Sequence, residues 1–110
     1  MHIGEETRGG TLVMAPSGRL DSGSAGVLEA VLPGRVQTHA KVVLTLAEVP
    51  YVSSAGLRVL LIGAKAAKAQ GHRLVLTGLS ESVREVFDIS GFSTIFAIEP
   101  DLDSALAALA

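Results

Sequence analysis

The chain has no cysteine and no tryptophan among its 110 residues, and only 4% of it is aromatic. Without cysteine there can be no disulfide, no thiolate ligand for a metal and no cysteine nucleophile. The composition is 48% hydrophobic, and much of that is alanine, valine and leucine. These residues suit close packing of helices on a sheet better than they suit an aromatic binding surface. The absence of cysteine fits a reducing compartment.

Long apolar runs and an excess of positive charge are also missing. The most apolar stretches, VVLTL and LRVLLIGAKAA, are far shorter than the roughly 20 residues that span a bilayer. The first ten residues, MHIGEETRGG, lack the basic and apolar regions of a signal peptide. A formal net charge of -2 provides no attraction to nucleic acid or anionic lipid. We therefore expect a cytoplasmic protein with no nucleic-acid partner and no membrane insertion.

The length and the absence of a linker predict a single domain over residues 1–110. Two strands, at residues 2–8 and 11–18, flank a Gly9-Gly10 turn and predict a hairpin. Strong capping residues start the later helices, and glycines end two of them. The next elements are predicted as a helix from 21–24 to Pro33-Gly34, a loop over 35–40 and a strand over 41–46. After them we predict a helix over 54–70, a strand over 72–77 and a helix from Ser80 to Gly91. The chain is predicted to end with a strand over 94–98 and a helix from Asp101.

This element order, ββαβαβαβα, places the chain in the α/β class. Repeated alternation of strand and helix predicts parallel strands joined by right-handed crossovers, and the hairpin adds one antiparallel pair. We expect a mixed, mainly parallel sheet with helices packed mainly on one face.

The sequence offers no convincing catalytic or metal-binding motif. His2, His39 and His72 lack the spacing of metal ligands, and three surface histidines are the simpler interpretation. A G-x-S-x-G turn, a phosphate-binding loop and a complete dinucleotide fingerprint are all absent. We expect a protein that is not an enzyme and needs no cofactor or metal.

Two adjacent hydroxyls, Ser53 and Ser54, occur where a loop meets the strongest helix. Local chemistry favours a helix N-cap with a neutral neighbour, because serine is a common cap. The second interpretation is a modification site, since a phosphate at a helix N-terminus meets free N–H groups and the positive end of the dipole. The small residues Ala55 and Gly56 would leave the hydroxyls accessible to a partner's active site.

Three segments resemble the STAS-domain family of anti-sigma factor antagonists. They are GRLD from Gly18 to Asp21, YVSSAGLRVLL from Tyr51 to Leu61, and VREVFDISGF from Val83 to Phe92. They occur in the family's order, and the predicted element order matches the STAS fold over essentially the whole chain. The resemblance implies a serine at the start of the helix that a partner kinase phosphorylates.

The resemblance also implies a mechanism and a set of partners. The unphosphorylated antagonist binds a GHKL-type serine kinase that acts as the anti-sigma factor, and the sigma factor is released. Phosphorylation breaks this complex, and a PP2C-type phosphatase restores it. Ser54 matches the phosphoacceptor, with Ser53 as its rival, because Ser53 stands where many members carry aspartate. The residues that would bind the partner are Asp21, Ser22, Ser53, Ser54, Gly56 and Arg58.

Two of these residues have simpler interpretations, and the function has an alternative. Asp21 is either the N-cap of the first helix or an acidic neighbour of the phosphoacceptor. Arg58 is either solvated surface or a contact for an acidic partner or a phosphoserine. The alternative function is a STAS regulatory subunit of a transporter or a larger signalling assembly that is not phosphorylated.

Overall fold

The computed structural model describes residues 1–110, and its framework is one five-stranded sheet. The strands lie side by side in chain order: β1 (His2–Arg8), β2 (Thr11–Ser17), β3 (Lys41–Thr45), β4 (Arg73–Thr77) and β5 (Ala97–Glu99). β1 and β2 form an antiparallel hairpin, whereas the β2–β3, β3–β4 and β4–β5 pairs are parallel. The predicted mixed, mainly parallel sheet is confirmed.

Turn chemistry explains the hairpin. Gly9 and Gly10 connect β1 to β2 with φ angles of +55° and +84°. Residues with a Cβ rarely adopt such angles, whereas glycine does so readily. The two glycines therefore set the register in which Arg8 faces Thr11 and His2 faces Ser17.

Helices cover both faces of the sheet, but unequally. They are α1 (Ala25–Glu29), α2 (Leu32–Thr38), α3 (Ser54–Ala69), α4 (Glu81–Ile89) and α5 (Leu102–Leu109). Side chains alternate between the two faces of a strand, so Val42 and Leu44 join the large core formed with α1 to α4, while Val43 points the other way. Val43 lies in a smaller cluster with Ala105 and Leu109 of α5. Packing mainly on one face is confirmed, with α5 on the opposite side.

The predicted end of the first helix at Pro33-Gly34 is wrong, and the predicted loop over 35–40 is confirmed only for residues 39 and 40. The segment contains two short helices, and Pro33 lies in the first turn of α2. Proline is tolerated there because the first N–H groups of a helix have no intrahelical acceptor. α2 then continues to Thr38 and buries Val36 completely. The observed order therefore has one more helix than predicted.

The last strand also differs from the prediction of residues 94–98. A short 3-10 helix covers Phe92–Thr94, and β5 begins only at Ala97. Aromatic packing explains the shift, because the Phe96 ring centroid lies 5.5 Å from that of Phe87 and 6.0 Å from that of Phe92. The hydroxyl of Thr94 donates to the Gly91 carbonyl at 2.8 Å, which stabilises the turn.

The other helix ends follow the predicted capping chemistry. Ser80 caps α4, and Asp101 caps α5 by accepting from the Ser104 N–H at 2.8 Å. Gly71 follows α3 with a φ of +69°, as expected for a glycine after a helix C-cap. None of the helices has the length and hydropathy needed to cross a bilayer.

Candidate functional site

The two serines at the start of α3 have different roles. Ser53 is the N-cap: its backbone is extended, and its Oγ accepts a hydrogen bond from the Gly56 N–H at 3.3 Å. Ser54 is the first residue of the helix and is exposed. Its hydroxyl has no hydrogen-bond partner within the chain. The capping role expected from local chemistry therefore belongs to Ser53, which is half-buried, and the hydroxyl of Ser54 is open to solvent.

Backbone pairing brings the loop after β2 against this helix start. The Leu20 N–H donates to the Tyr51 carbonyl, and the Ser53 N–H donates to the Leu20 carbonyl, both at 2.9 Å. Leu20 and Val52 thereby form a parallel bridge outside the named strands. This bridge joins the two groups of residues predicted to bind a partner: Asp21 and Ser22 on one loop, and the start of α3 on the other.

Gly56 allows this close approach. A Cβ at position 56 would lie 2.7 Å from both the Leu20 carbonyl oxygen and the Leu20 Cγ. Real Cβ atoms essentially never come that close, so any larger residue would push the helix start away from Leu20. Gly56 is itself buried. Its predicted place in a partner-binding surface is therefore indirect, since it positions its neighbours.

Asp21 does not cap α1 in the predicted way, because Ser24 occupies the N-cap position. The Asp21 carboxylate instead closes the turn before the helix by accepting from the Gly23 N–H at 3.0 Å. Its Oδ2 also lies 3.5 Å from Arg19 Nε. Desolvation opposes ionisation of Asp21, but the hydrogen bonds from Gly23, Ser24 and Arg19 outweigh it and hold the pKa below its usual value. Asp21 is therefore a stable negative charge beside the start of α3.

Arg58 lies one turn after Ser54 on the same side of α3, as the i,i+4 spacing requires. Its side chain is 72% exposed, and its Nη1 is 4.0 Å from Glu29 Oε1 on α1. An exposed pair at this distance contributes little stability. The guanidinium is therefore free to exchange Glu29 for another anion.

Arg19 and Tyr51 also belong to this surface, although neither was predicted to bind a partner. The Arg19 guanidinium carbon lies 4.2 Å from the centroid of the Tyr51 ring, a cation–π contact, and Tyr51 is 40% exposed. Arg19 lies in the segment GRLD and Tyr51 in YVSSAGLRVLL. Their position in these motifs was the sequence feature that could have identified them. The exposed surface around Ser54 combines cationic, acidic, aromatic and hydroxyl groups, which suits a protein partner.

The titratable side chains of the chain form no metal-binding cluster. No group of three or more histidine, aspartate and glutamate side chains is placed to hold a metal ion. Two histidines form local contacts: His72 Nδ1 lies 2.8 Å from the Val36 carbonyl oxygen, and His39 Nδ1 lies 3.0 Å from both the Arg35 carbonyl oxygen and the Thr38 hydroxyl. The Val36 carbonyl accepts but does not donate, so His72 Nδ1 acts as the donor in that contact.

Comparisons with known proteins agree with the observed fold. A family model described as the STAS domain matches residues 3–105. The chain is 43% identical over 100 residues to BtrV of Bordetella bronchiseptica, a proposed anti-sigma factor antagonist, covering 90% of this chain and 86% of BtrV. It is 37% identical over 82 residues to the anti-sigma-B factor antagonist of Bacillus subtilis, covering 74% and 75% of the two chains.

A solved structure shares the fold over nearly its whole length. SpoIIAA, a Bacillus cell fate determinant solved in its phosphorylated form, superposes with a TM-score of 0.73. The two chains are 18% identical, and the match covers 99% of this chain and 100% of SpoIIAA.

Proposed function

Since the chain belongs to the STAS-domain family of anti-sigma factor antagonists, we propose that it is a phosphorylation-controlled binding switch. In its unphosphorylated form it binds a GHKL-type kinase that serves as the anti-sigma factor, and the sigma factor is released. Phosphorylation of Ser54 breaks this complex, and a PP2C-type phosphatase restores the binding form. The protein acts in the cytoplasm as a single domain over residues 1–110, and it is a substrate rather than a catalyst.

The exposed, unpaired hydroxyl of Ser54 at the first position of α3 carries the proposal. A phosphate there meets the free N–H groups of the first turn and the positive end of the helix dipole, so the fold tolerates it. SpoIIAA, which has the same fold, exists in a phosphorylated form. The phosphate adds about -1.5 to -2 charges to the surface. It would lie near the Asp21 carboxylate and inside the partner interface, where repulsion and desolvation oppose binding.

The geometry favours Ser54 over Ser53 as the phosphoacceptor. The Ser53 Oγ already accepts from the Gly56 N–H, so a kinase would have to break the helix cap to reach it. Serine and aspartate are both good N-cap residues. Ser53 can therefore keep the capping role of the aspartate that is common at this position in the family. Compared with members that carry the aspartate, this chain lacks one negative charge beside the phosphoacceptor.

The test is incubation with the cognate GHKL-type serine kinase and ATP, followed by mass spectrometry to locate the phosphate. We expect one phosphate on Ser54, none on Ser54→Ala, and continued modification of Ser53→Ala, the matched control. Circular dichroism checks that each variant is folded. Undiminished incorporation into Ser54→Ala would contradict the assignment and point to Ser53.

Binding to the kinase provides a second readout. In calorimetry, Ser54→Asp should bind at least tenfold more weakly than the parent chain, whereas Ser54→Ala should bind normally. Equal binding of the aspartate variant would contradict the proposed release step. Recovery of transporter subunits and no kinase in a pull-down would favour the alternative of a regulatory subunit.

A further inference from the structure

A second concave site lies toward the other end of α3 from Ser54. An open cavity of about 720 Å³ is bordered by the C-terminal half of α3, the start of β4 and the segment that leads into β5. Lys68, on its rim, is 14 residues after Ser54, which corresponds to about 21 Å along the helix axis. The cavity volume falls within the range of roughly 300–1,000 Å³ typical of small-molecule sites.

The floor and walls of the cavity are apolar. Ala67 and Phe96 are buried, and Leu61, Ala64 and Leu74 are half-buried. Ile95, at the edge, is 54% exposed and adds apolar surface to the mouth of the cavity. An alkyl group placed here would cover apolar surface that is otherwise in contact with water.

The rim of the cavity is cationic. Lys65, Lys68, His72 and Arg73 line it, and no aspartate or glutamate does. Lys65 and Lys68 are exposed, lie one turn apart on α3 and form none of the ion pairs in the structure. Arg73 differs, because its Nη1 donates to the Ala108 carbonyl at 2.9 Å. The two lysines are therefore the cations free to bind a ligand.

We propose that this cavity binds a medium-chain fatty acid. Its alkyl chain lies against Leu61, Leu74 and Ile95, and its carboxylate lies between the ammonium groups of Lys65 and Lys68. The negative end of the α3 dipole disfavours an anion here, so the lysine side chains must hold the carboxylate. Each ammonium group brings three donors and no acceptor, which suits a carboxylate.

The same features argue against a nucleotide. The cavity has no glycine-rich loop whose backbone N–H groups could surround phosphates. Phe96, the aromatic residue in the lining, is only 7% exposed and cannot stack on a base. Apart from Phe96, Gly71 and His72, the lining is aliphatic or cationic, which fits one anionic group attached to an alkyl chain.

Dodecanoate, used below its critical micelle concentration, is the probe for the full chain. We expect saturable one-to-one binding in calorimetry. In ¹H–¹⁵N spectra we expect amide shifts over residues 65–74 and 95–97 and none at Ser53, Ser54 or Gly56. Dodecanol, which has the same alkyl chain without the charge, should bind at least tenfold more weakly.

Exposed lysines provide the variants, so loss of folding is not expected, and circular dichroism checks it. The double variant Lys65→Gln/Lys68→Gln should weaken dodecanoate binding roughly tenfold or more, because two charge-assisted hydrogen bonds are lost. Lys41→Gln, a lysine outside the cavity, is the matched control and should bind normally. Three results would each overturn the proposal: no saturable binding, equal affinity for dodecanol, or amide shifts that map elsewhere. The test is independent of Ser54, so its outcome does not depend on the proposed switch.

Discussion

Replacing Gly56 by alanine tests how the start of α3 is held against the loop that carries Asp21. The added methyl would lie 2.7 Å from the Leu20 carbonyl oxygen and 3.1 Å from Val52 Cγ1. The first of these atoms is backbone and is tied down, because it accepts the Ser53 N–H at 2.9 Å. The clash cannot be relieved by rotating one side chain.

Two free-energy terms of opposite sign determine how much Gly56→Ala changes the stability of the fold. Alanine is favoured over glycine within a helix by about 0.8–1 kcal/mol. Overpacking a tight site typically costs about 1–3 kcal/mol, and contact with a fixed backbone oxygen places Gly56 at the upper end. The expected net loss is about 1–2 kcal/mol in the free energy of unfolding. For a domain of this size, that lowers the melting temperature by about 4–8 °C.

The chain contains matched controls for this substitution. Gly34, inside α2, has nothing within 4 Å of its missing Cβ, so Gly34→Ala should stabilise the protein by about 0.5–1 kcal/mol. Gly63 is intermediate, because its Cβ would meet Leu32 Cδ2 at 2.6 Å, the end of a side chain that can move. Urea denaturation followed by circular dichroism gives all three values. Gly56→Ala with unchanged or increased stability would refute the reasoning, provided that Gly34→Ala behaves as expected.

Three further predictions concern capping, acid stability and the core. Ser53→Ala removes the α3 cap and should cost about 0.5–2 kcal/mol in the free energy of unfolding, measured by urea denaturation. Ser54→Ala should change that free energy by less than about 0.5 kcal/mol. Equal losses in the two variants would contradict the separate roles of the two serines. The Ser104 N–H lowers the pKa of Asp101 below 3.8, so its stabilisation is present above that pH and is lost as the pH falls through the folded-state pKa. Asp101→Asn should therefore reduce the fall in urea midpoint between about pH 4 and 2, and an unchanged pH profile would contradict this. Phe87→Ala should cost about 3–5 kcal/mol by thermal or urea unfolding, because Phe87 is fully buried, and a loss below about 1 kcal/mol would show that the site is not tightly packed.

Local chemistry made much of the fold predictable from the sequence. The Gly9-Gly10 turn, the caps at Ser80 and Asp101 and the glycine after α3 involve hydrogen bonds between residues at most a few positions apart. The strand VVL in β3 was predictable as central, because all three of its residues are apolar and all are fully buried between two layers. Such features depend only on short segments, so the sequence of each segment is enough to predict them.

The role of Pro33 could not be predicted from its neighbouring residues. The same residue can end a helix or begin one, and the neighbouring sequence does not decide between the two. α2 forms because Leu32 and Val36 are buried in the main core, and that core is built from strands and helices distant in sequence. The late start of β5 has a similar cause, since Phe96 is held by packing with Phe87 and Phe92.

The candidate site also has a part that was predictable from the sequence and a part that was not. A serine pair at the start of α3, in a motif that resembles a family with a phosphorylated serine at this position, was evident from the sequence alone. The assignment of Ser53 as the cap and Ser54 as the exposed hydroxyl, and the position of Asp21 in the loop paired with them, required the folded structure. That placement depends on the pairing of Leu20 with Val52 across 32 positions of the chain, and on the absence of a side chain at Gly56. Contacts between segments so far apart form only when the whole sheet assembles, so no local pattern encodes them.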